Sequence, residues 1–253
     1  MKPASTIRLT SDELTAIAHR LGTTLFPGVR ANCFDAVDPE LHPLLDNSFL
    51  MSLVARDLLA PDADGMLWPA EELATLIGAV ASHQVHLTVE QTMPATHPEM
   101  ALRWEVMAGA AGVVQHLVDD PIHHFEVAPA SSKTAEHAAE LAQHTEAAVT
   151  EIVHRSPGAG APGRRQRWGP KSRLAEIVPA PEGGWRRSTL LTRADADERA
   201  RVEGFLRVLD GGPGQLWLVH DDTGTDDDTV VAAPASSSDV DAALRAFVAA
   251  APR

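Results

Sequence analysis

The chain has 253 residues, 44% of them hydrophobic, so it is long enough to bury a substantial core without disulfides or metals. Its formal net charge of −14 argues against nucleic-acid binding, which requires a positive surface. No stretch approaches the roughly 18 apolar residues of a membrane span, and the first residues lack the apolar segment of a signal peptide. We therefore expect a cytoplasmic protein that does not insert into membranes.

The first part of the chain is predicted to be helical. Thr10 and Glu13 have the spacing of a capping box, and Gly22 ends the first helix. Apolar spacing predicts a second helix over residues 43–59, and Pro69 is placed to begin a third. Three helices of this kind are typical either of a winged-helix-like unit or of a helical layer packed on a sheet.

Hydrophobicity then alternates with a period of two, which predicts strands. Four strands are expected, at residues 85–89, 102–106, 113–117 and 122–127. Glycines and an Asp-Asp-Pro break lie between them, as in hairpin turns. The sequence thus predicts a four-stranded antiparallel meander with one buried face, followed by a helix over residues 134–154.

The last third repeats this outline after a gap. Residues 156–170 are rich in Gly and Pro and lack periodicity, which is typical of a mobile linker. Further strands are predicted at residues 174–178, 185–192, 205–209, 216–220 and 229–232, and Ser236 and Asp239 open a closing helix. We expect an α+β fold with two pseudo-symmetric halves, 1–155 and 171–253, each an antiparallel sheet packed by helices. A single domain is the alternative.

Catalytic and metal-binding signatures are not evident in the sequence. It contains no nucleophile elbow, phosphate-binding loop or dinucleotide fingerprint. His137, Glu140 and His144 share one face of a predicted helix, but a zinc site needs a fuller set of ligands. His123 and His124 are neighbours on a predicted strand, so they point to opposite faces. We expect no catalytic residue, no metal and no cofactor.

Three other features are interpreted as having no functional role. Cys33 is the single cysteine, which excludes a disulfide framework and suits a reducing compartment. The basic run at residues 164–173 and the acidic run at residues 221–228 are interpreted as solvated loops. The basic run includes Trp168, so RNA or phosphate binding is its alternative reading.

One loop is a candidate for partner binding. Residues 91–100, QTMPATHPEM, join two predicted strands and contain Met93, Pro94, His97 and Met100. Methionine adapts to irregular partner surfaces, and proline limits the entropy lost on binding. We expect these four residues to contact a partner protein; the alternative is an ordinary hairpin connection.

Several segments together resemble a known family. They are LTSDELTAIAHRLG, then LFPGV, then SFLMSLVARDLLAPDADGMLWPAEELATLIGAV leading into VHLTV, and near the end LRVLDGGPGQLWLV, TVVAAP and SSSDVDAALRAFVAA. In this order they are similar to the EspG-type chaperones of actinobacterial type VII (ESX) secretion, with Asp57 where a glycine is common. An actinobacterial origin also fits a composition rich in Ala, Arg, Asp and Gly and poor in Lys.

The resemblance implies an α+β fold and a cytoplasmic chaperone that keeps a helical PE–PPE-like secretion substrate soluble by binding its apolar tip. It further implies contacts from a long inter-strand loop, here residues 91–100, and from later helices, here the closing helix with Leu244 and Phe247. Two other hypotheses stay open: a regulatory module with a winged-helix-like unit, and an enzyme of unrecognised type. The oligomeric state is not predicted.

Overall fold

The computed structural model describes residues 5–22, 29, 32–119, 121–130, 137–154, 167–170, 173–194, 204–221 and 229–249. The helices are α1 (Ser11–Leu21), α2 (Asn32–Asp35), α3 (His42–Ala55), α4 (Glu71–Ala81), α5 (His137–His154), α6 (Leu174–Ile177) and α7 (Ser237–Ala249), with a 3-10 helix at Pro39–Leu41. The strands are β1 (Ser5–Thr10), β2 (Leu59–Pro61), β3 (Leu67–Pro69), β4 (His83–Met93), β5 (His97–Gly109), β6 (Gly112–Val118), β7 (Ile122–Pro129), β8 (Arg167–Pro170), β9 (Arg187–Ala194), β10 (Phe205–Asp210), β11 (Leu216–Asp221) and β12 (Thr229–Pro234).

The predicted α+β class is confirmed, with extensive antiparallel sheet packed by helices. The chain forms two compact units, and each is discontinuous in sequence. The first unit comprises residues 1–84 and 107–141, and the second comprises residues 85–106 and 142–253. This division differs from the expected halves 1–155 and 171–253, and pseudo-symmetry between halves is not confirmed.

In the first unit, β1 pairs antiparallel with β7, and β7 pairs with β6. The prediction that the chain starts with a helix was wrong, because β1 precedes α1. Its Ile7 and Leu9 are 4% and 1% exposed, so alternation buries one side of the strand. Only two apolar residues mark this strand, and the adjacent capping box dominates the local sequence signal.

The core of the first unit is formed by α1, α3, α4 and the strands. Its buried members include Ile7, Leu9, Leu14, Ile17, Leu53, Leu73, Leu76, Val80, Val114, Phe125 and Val127. They include Leu14 and Ile17 of α1 and Leu73, Leu76 and Val80 of α4, each set at helical spacing, whereas Leu21 at the end of α1 is 47% exposed. The capping box is also confirmed, since Glu13 N donates to Thr10 Oγ1 and Thr10 N donates to Glu13 Oε2. Gly22 ends α1 in a left-handed conformation, as expected.

In the second unit, β4 pairs antiparallel with β9, and β9, β10, β11, β12 and β8 then follow as antiparallel neighbours. Helix α7 buries Val240, Leu244 and Val248 and contacts β10. The end of α5 is tied to β9, because Arg187 Nη1 donates to Val153 O over 3.1 Å.

Two predictions for the second half were wrong. Residues 174–177 form helix α6 and not a strand, because Leu174 and Ile177 pack on a buried cluster that contains Trp217. Part of the predicted linker is strand β8, which pairs with β12. The rest of that linker, residues 156–166, lies outside the described residues, as does most of the acidic run at 221–228.

Candidate functional site

The predicted partner-binding loop is a tight β-hairpin. Strand β4 continues to Met93 and β5 starts at His97, so three residues form the turn. Thr96 N donates to Met93 O over 3.2 Å and closes it. Pro94 occupies the second turn position, where its fixed φ is favoured. We call residues 93–101 the hairpin tip.

The hairpin tip presents an apolar and nearly uncharged surface. Residues 94–101 are all exposed, whereas residues 104–109 of the same strand are all buried. Met100 is 37% exposed and Met93 is half-buried. Glu99 is the only Asp, Glu, Lys or Arg in the tip, although the whole chain has a net charge of −14. The structure therefore brings Met93, Pro94, His97 and Met100 together on one protrusion.

The position of the hairpin tip is fixed by the turn that precedes β9. Ala95 N donates to Trp185 O over 3.0 Å, and Gly184 adopts φ +84° beside Ala95. Behind the tip, Gln91 Nε2 donates to Thr189 Oγ1 over 3.2 Å, and both side chains are buried. An anchored protrusion loses less conformational entropy on binding than a free loop. Sequence reasoning missed this anchor, because nothing local links residue 95 to residue 185.

Three ionisable side chains cluster where β5 becomes buried. Arg103 Nη2 lies 2.9 Å from Glu105 Oε1, and His86 Nε2 lies 3.9 Å from Glu105 Oε2. Glu105 is buried, so these partners offset the cost of removing its carboxylate from water. This group lies next to the hairpin tip, in which Glu99 is the one formally charged residue.

The structure does not place the closing helix with the hairpin tip. Leu244 is 0% exposed and belongs to the core, so its assignment to a binding surface is corrected. Phe247 is half-buried, with the Arg193 guanidinium 4.4 Å from its ring centre. Arg193 pairs with Leu87 of β4. Leu87 lies six residues before Met93, so the two residues are separated by about 20 Å at the rise per residue of a strand. An apolar stripe on a helix can form either the face that packs in the core or a face that binds a partner, and in α7 it packs in the core.

A buried Ser–His–His chain lies in the first unit. Ser11 Oγ and His123 Nε2 are 2.9 Å apart, and His123 Nδ1 and His116 Nε2 are also 2.9 Å apart. All three side chains are at most 2% exposed. Ser11 N also donates to Pro121 O over 3.0 Å. These hydrogen bonds therefore fix the start of α1 to the β6–β7 turn. His123 is buried whereas His124 is partly exposed, as expected for neighbours that point to opposite faces of a strand.

Cys33 is exposed, and its surroundings do not favour a nucleophilic thiolate. The hydrogen bond with Asp12 is the main cause that raises the pKa of the Cys33 thiol, followed by burial and the charge of Asp12. Among the described residues, no group of three or more His, Cys, Asp or Glu side chains converges to hold a metal ion. The side chains of His137 and Glu140 lie outside that description.

No protein-family model matches this chain, and no curated protein shows significant similarity to it. None of the described helices has the length and apolarity needed to cross a bilayer.

Proposed function

We propose that this protein is a cytoplasmic chaperone or adaptor of type VII secretion. It binds the apolar end of a helical PE–PPE-like substrate through the hairpin tip and keeps that substrate in solution. The observation that carries the proposal is the tip itself: an exposed, anchored protrusion with a single formal charge on a strongly acidic protein.

The chemistry of the tip suits an apolar helical ligand. Met93 and Met100 offer flexible, polarisable side chains that adapt to different helix ends. Pro94 and Pro98 hold the backbone near its bound shape, which reduces the entropic cost of binding. Burial of apolar area on these residues contributes about 25 cal/mol per Å² to the complex.

The acidic charge of the chain supports the same role. A net charge of −14 keeps a protein with an exposed apolar protrusion from self-associating. Holding a client in solution also requires no nucleophile and no bound metal. The α+β class agrees with the fold that the resemblance implies, although it is shared by many functions.

Co-expression with PE–PPE pairs tests the proposal. The full chain is co-expressed with a panel of PE–PPE heterodimers, and complexes are isolated by size-exclusion chromatography and titrated calorimetrically. The wild-type chain is expected to form a one-to-one complex with at least one pair. Met100→Glu is expected to weaken that complex at least tenfold, about 1.4 kcal/mol, because it places a charge against an apolar client.

The matched control is Ile122→Glu, which adds the same charge at another exposed apolar residue, 46% exposed at the start of β7. It is expected to leave the complex unchanged. A panel that yields no complex, or a complex equally tolerant of Met100→Glu, contradicts the proposal.

A further inference from the structure

Helix α3 is apolar on two faces. Leu53 is fully buried, and Leu50 and Val54 pack against the core. On the outer side, Leu44 is 68% exposed and Met51 is 50% exposed. A surface helix of a globular protein normally carries charged residues on its outer side, so this helix departs from the usual pattern.

The outer residues form one continuous stripe. They are spaced by three and four residues, and all are exposed: Leu41, Leu44, Ser48, Met51 and Ala55. This is the spacing of a coiled-coil seam, so Leu44, Ser48, Met51 and Ala55 line up along one side of α3, and Leu41 ends the 3-10 helix that precedes it. We call them the α3 seam. Asp46 is the only formally charged residue in α3, and its Oδ1 lies 2.9 Å from His19 Nδ1.

Both ends of the seam are acidic. Asp38 and Glu40 are exposed just before Leu41, the first seam residue, and Asp57 is exposed two residues after Ala55, the last one. Arg56 is also exposed there, but its guanidinium donates to the Glu13 carboxylate and to Arg8 O. The seam is thus a strip of four apolar side chains, with Ser48 at its centre, whose two ends favour positive charge.

We propose that the α3 seam is a second docking surface, separate from the hairpin tip, for a partner helix with an apolar stripe and basic residues at both ends. The apolar stripe matches the seam, and the terminal cations match the acidic ends. A second copy of this chain is disfavoured as occupant, because acidic ends would meet acidic ends in either helix orientation. This surface is independent of the proposed chaperone function.

Two synthetic three-heptad peptides test the inference. They share one Leu and Ala stripe, and one carries Lys in its first and last turns where the other carries Glu. Fluorescence anisotropy with the full chain is expected to show the Lys peptide binding at least tenfold more tightly than the Glu peptide. The difference is expected to shrink with added salt.

Leu44→Gln combined with Met51→Gln is expected to weaken binding of the Lys peptide at least tenfold. Ile122→Gln, at an exposed apolar residue outside α3, is the control and is expected to leave binding unchanged. The double variant should melt within about 4 °C of the wild type, as fits surface positions.

Four outcomes would overturn the inference. They are equal affinity for the two peptides, no binding of the Lys peptide, binding that survives the double substitution, and a large loss of stability in the double variant. Sedimentation provides one further check. A wild-type dimer that dissociates on the double substitution would assign the α3 seam to self-association instead.

Discussion

Arg56 holds the buried carboxylate of Glu13 with one guanidinium nitrogen, Nη1 lying 2.9 Å from Oε1 and 3.0 Å from Oε2. Glu13 also accepts hydrogen bonds from Thr10 N and from Ser52 Oγ, and Arg56 donates a further one to Arg8 O. This arrangement joins α1 and α3 to the backbone of β1. It also gives Thr10 N and Arg8 O hydrogen-bond partners outside β7, which disfavours unwanted pairing of the strand.

Removing the cation should destabilise the first unit. Arg56→Ala leaves the Glu13 carboxylate buried with fewer partners, and we expect a loss of about 2 kcal/mol, discounted because Arg56 is partly exposed. The free energy of unfolding in urea measures it. Arg245→Ala is the control, because its pair with Glu146 is 3.7 Å long and exposed, and it should cost under about 0.5 kcal/mol. Equal losses in the two variants would contradict this role.

Asp57 ends α3 in a conformation that suits glycine. Its φ is +58°, and Leu58 N donates to Leu53 O while Asp57 N donates to Val54 O, as in a Schellman motif. Asp57→Gly is therefore expected to stabilise the protein by about 1 kcal/mol, and Asp57→Val to destabilise it by at least that amount. Denaturant unfolding checks both. Asp57→Asn removes the charge, and asparagine tolerates the same backbone conformation, so this variant should change the free energy of unfolding little. A gain as large as that of Asp57→Gly would assign the effect to the loss of charge.

Asp62 organises the turn between β2 and β3. The hydrogen bond from Trp68 Nε1, 2.7 Å long, is the main cause that lowers the pKa of the Asp62 carboxyl, with a backbone bond from Met66 next. Because the folded-state pKa is lowered, the carboxylate stabilises the turn above its unfolded pKa. That contribution is lost as pH falls through the folded-state pKa.

Trp68→Phe should raise the pKa of Asp62 toward its ordinary value, because the indole donor is removed. Carboxyl-carbon NMR titration measures the change. Trp185→Phe, at a tryptophan that donates no bond to Asp62, is the control. An Asp62 pKa that stays low after Trp68→Phe would show that the backbone bonds suffice.

Local signals in the sequence predicted most elements correctly. The capping boxes at Thr10 and Ser236 located two helices, alternation located β4 and β5, and short apolar runs between turn residues located β6 and β7. Short apolar runs were ambiguous. Residues 174–178 fit a strand or a buried helical turn equally well, and packing of Leu174 and Ile177 decided for the helix.

The candidate site could be predicted only in part from the sequence. The composition of residues 91–100 indicated an exposed, adaptable segment, but the anchor from Trp185 depends on the pairing of β4 with β9. The burial of Leu244 and the exposure of Leu44 also depend on which helix face meets the core. Apolar periodicity identifies the apolar face of a helix. It does not identify what packs against that face, because this depends on the tertiary structure.

The hairpin tip is proposed to hold a helical secretion substrate. The most direct measurement is affinity purification from the native host with three baits: the wild-type chain, Met100→Glu, and the control Ile122→Glu. Mass spectrometry identifies and quantifies what co-purifies. A PE–PPE-like substrate recovered at stoichiometric amounts with the wild type and the control, and lost with Met100→Glu, is the predicted result. Recovery of no such substrate, or equal recovery with all three baits, would contradict the claim.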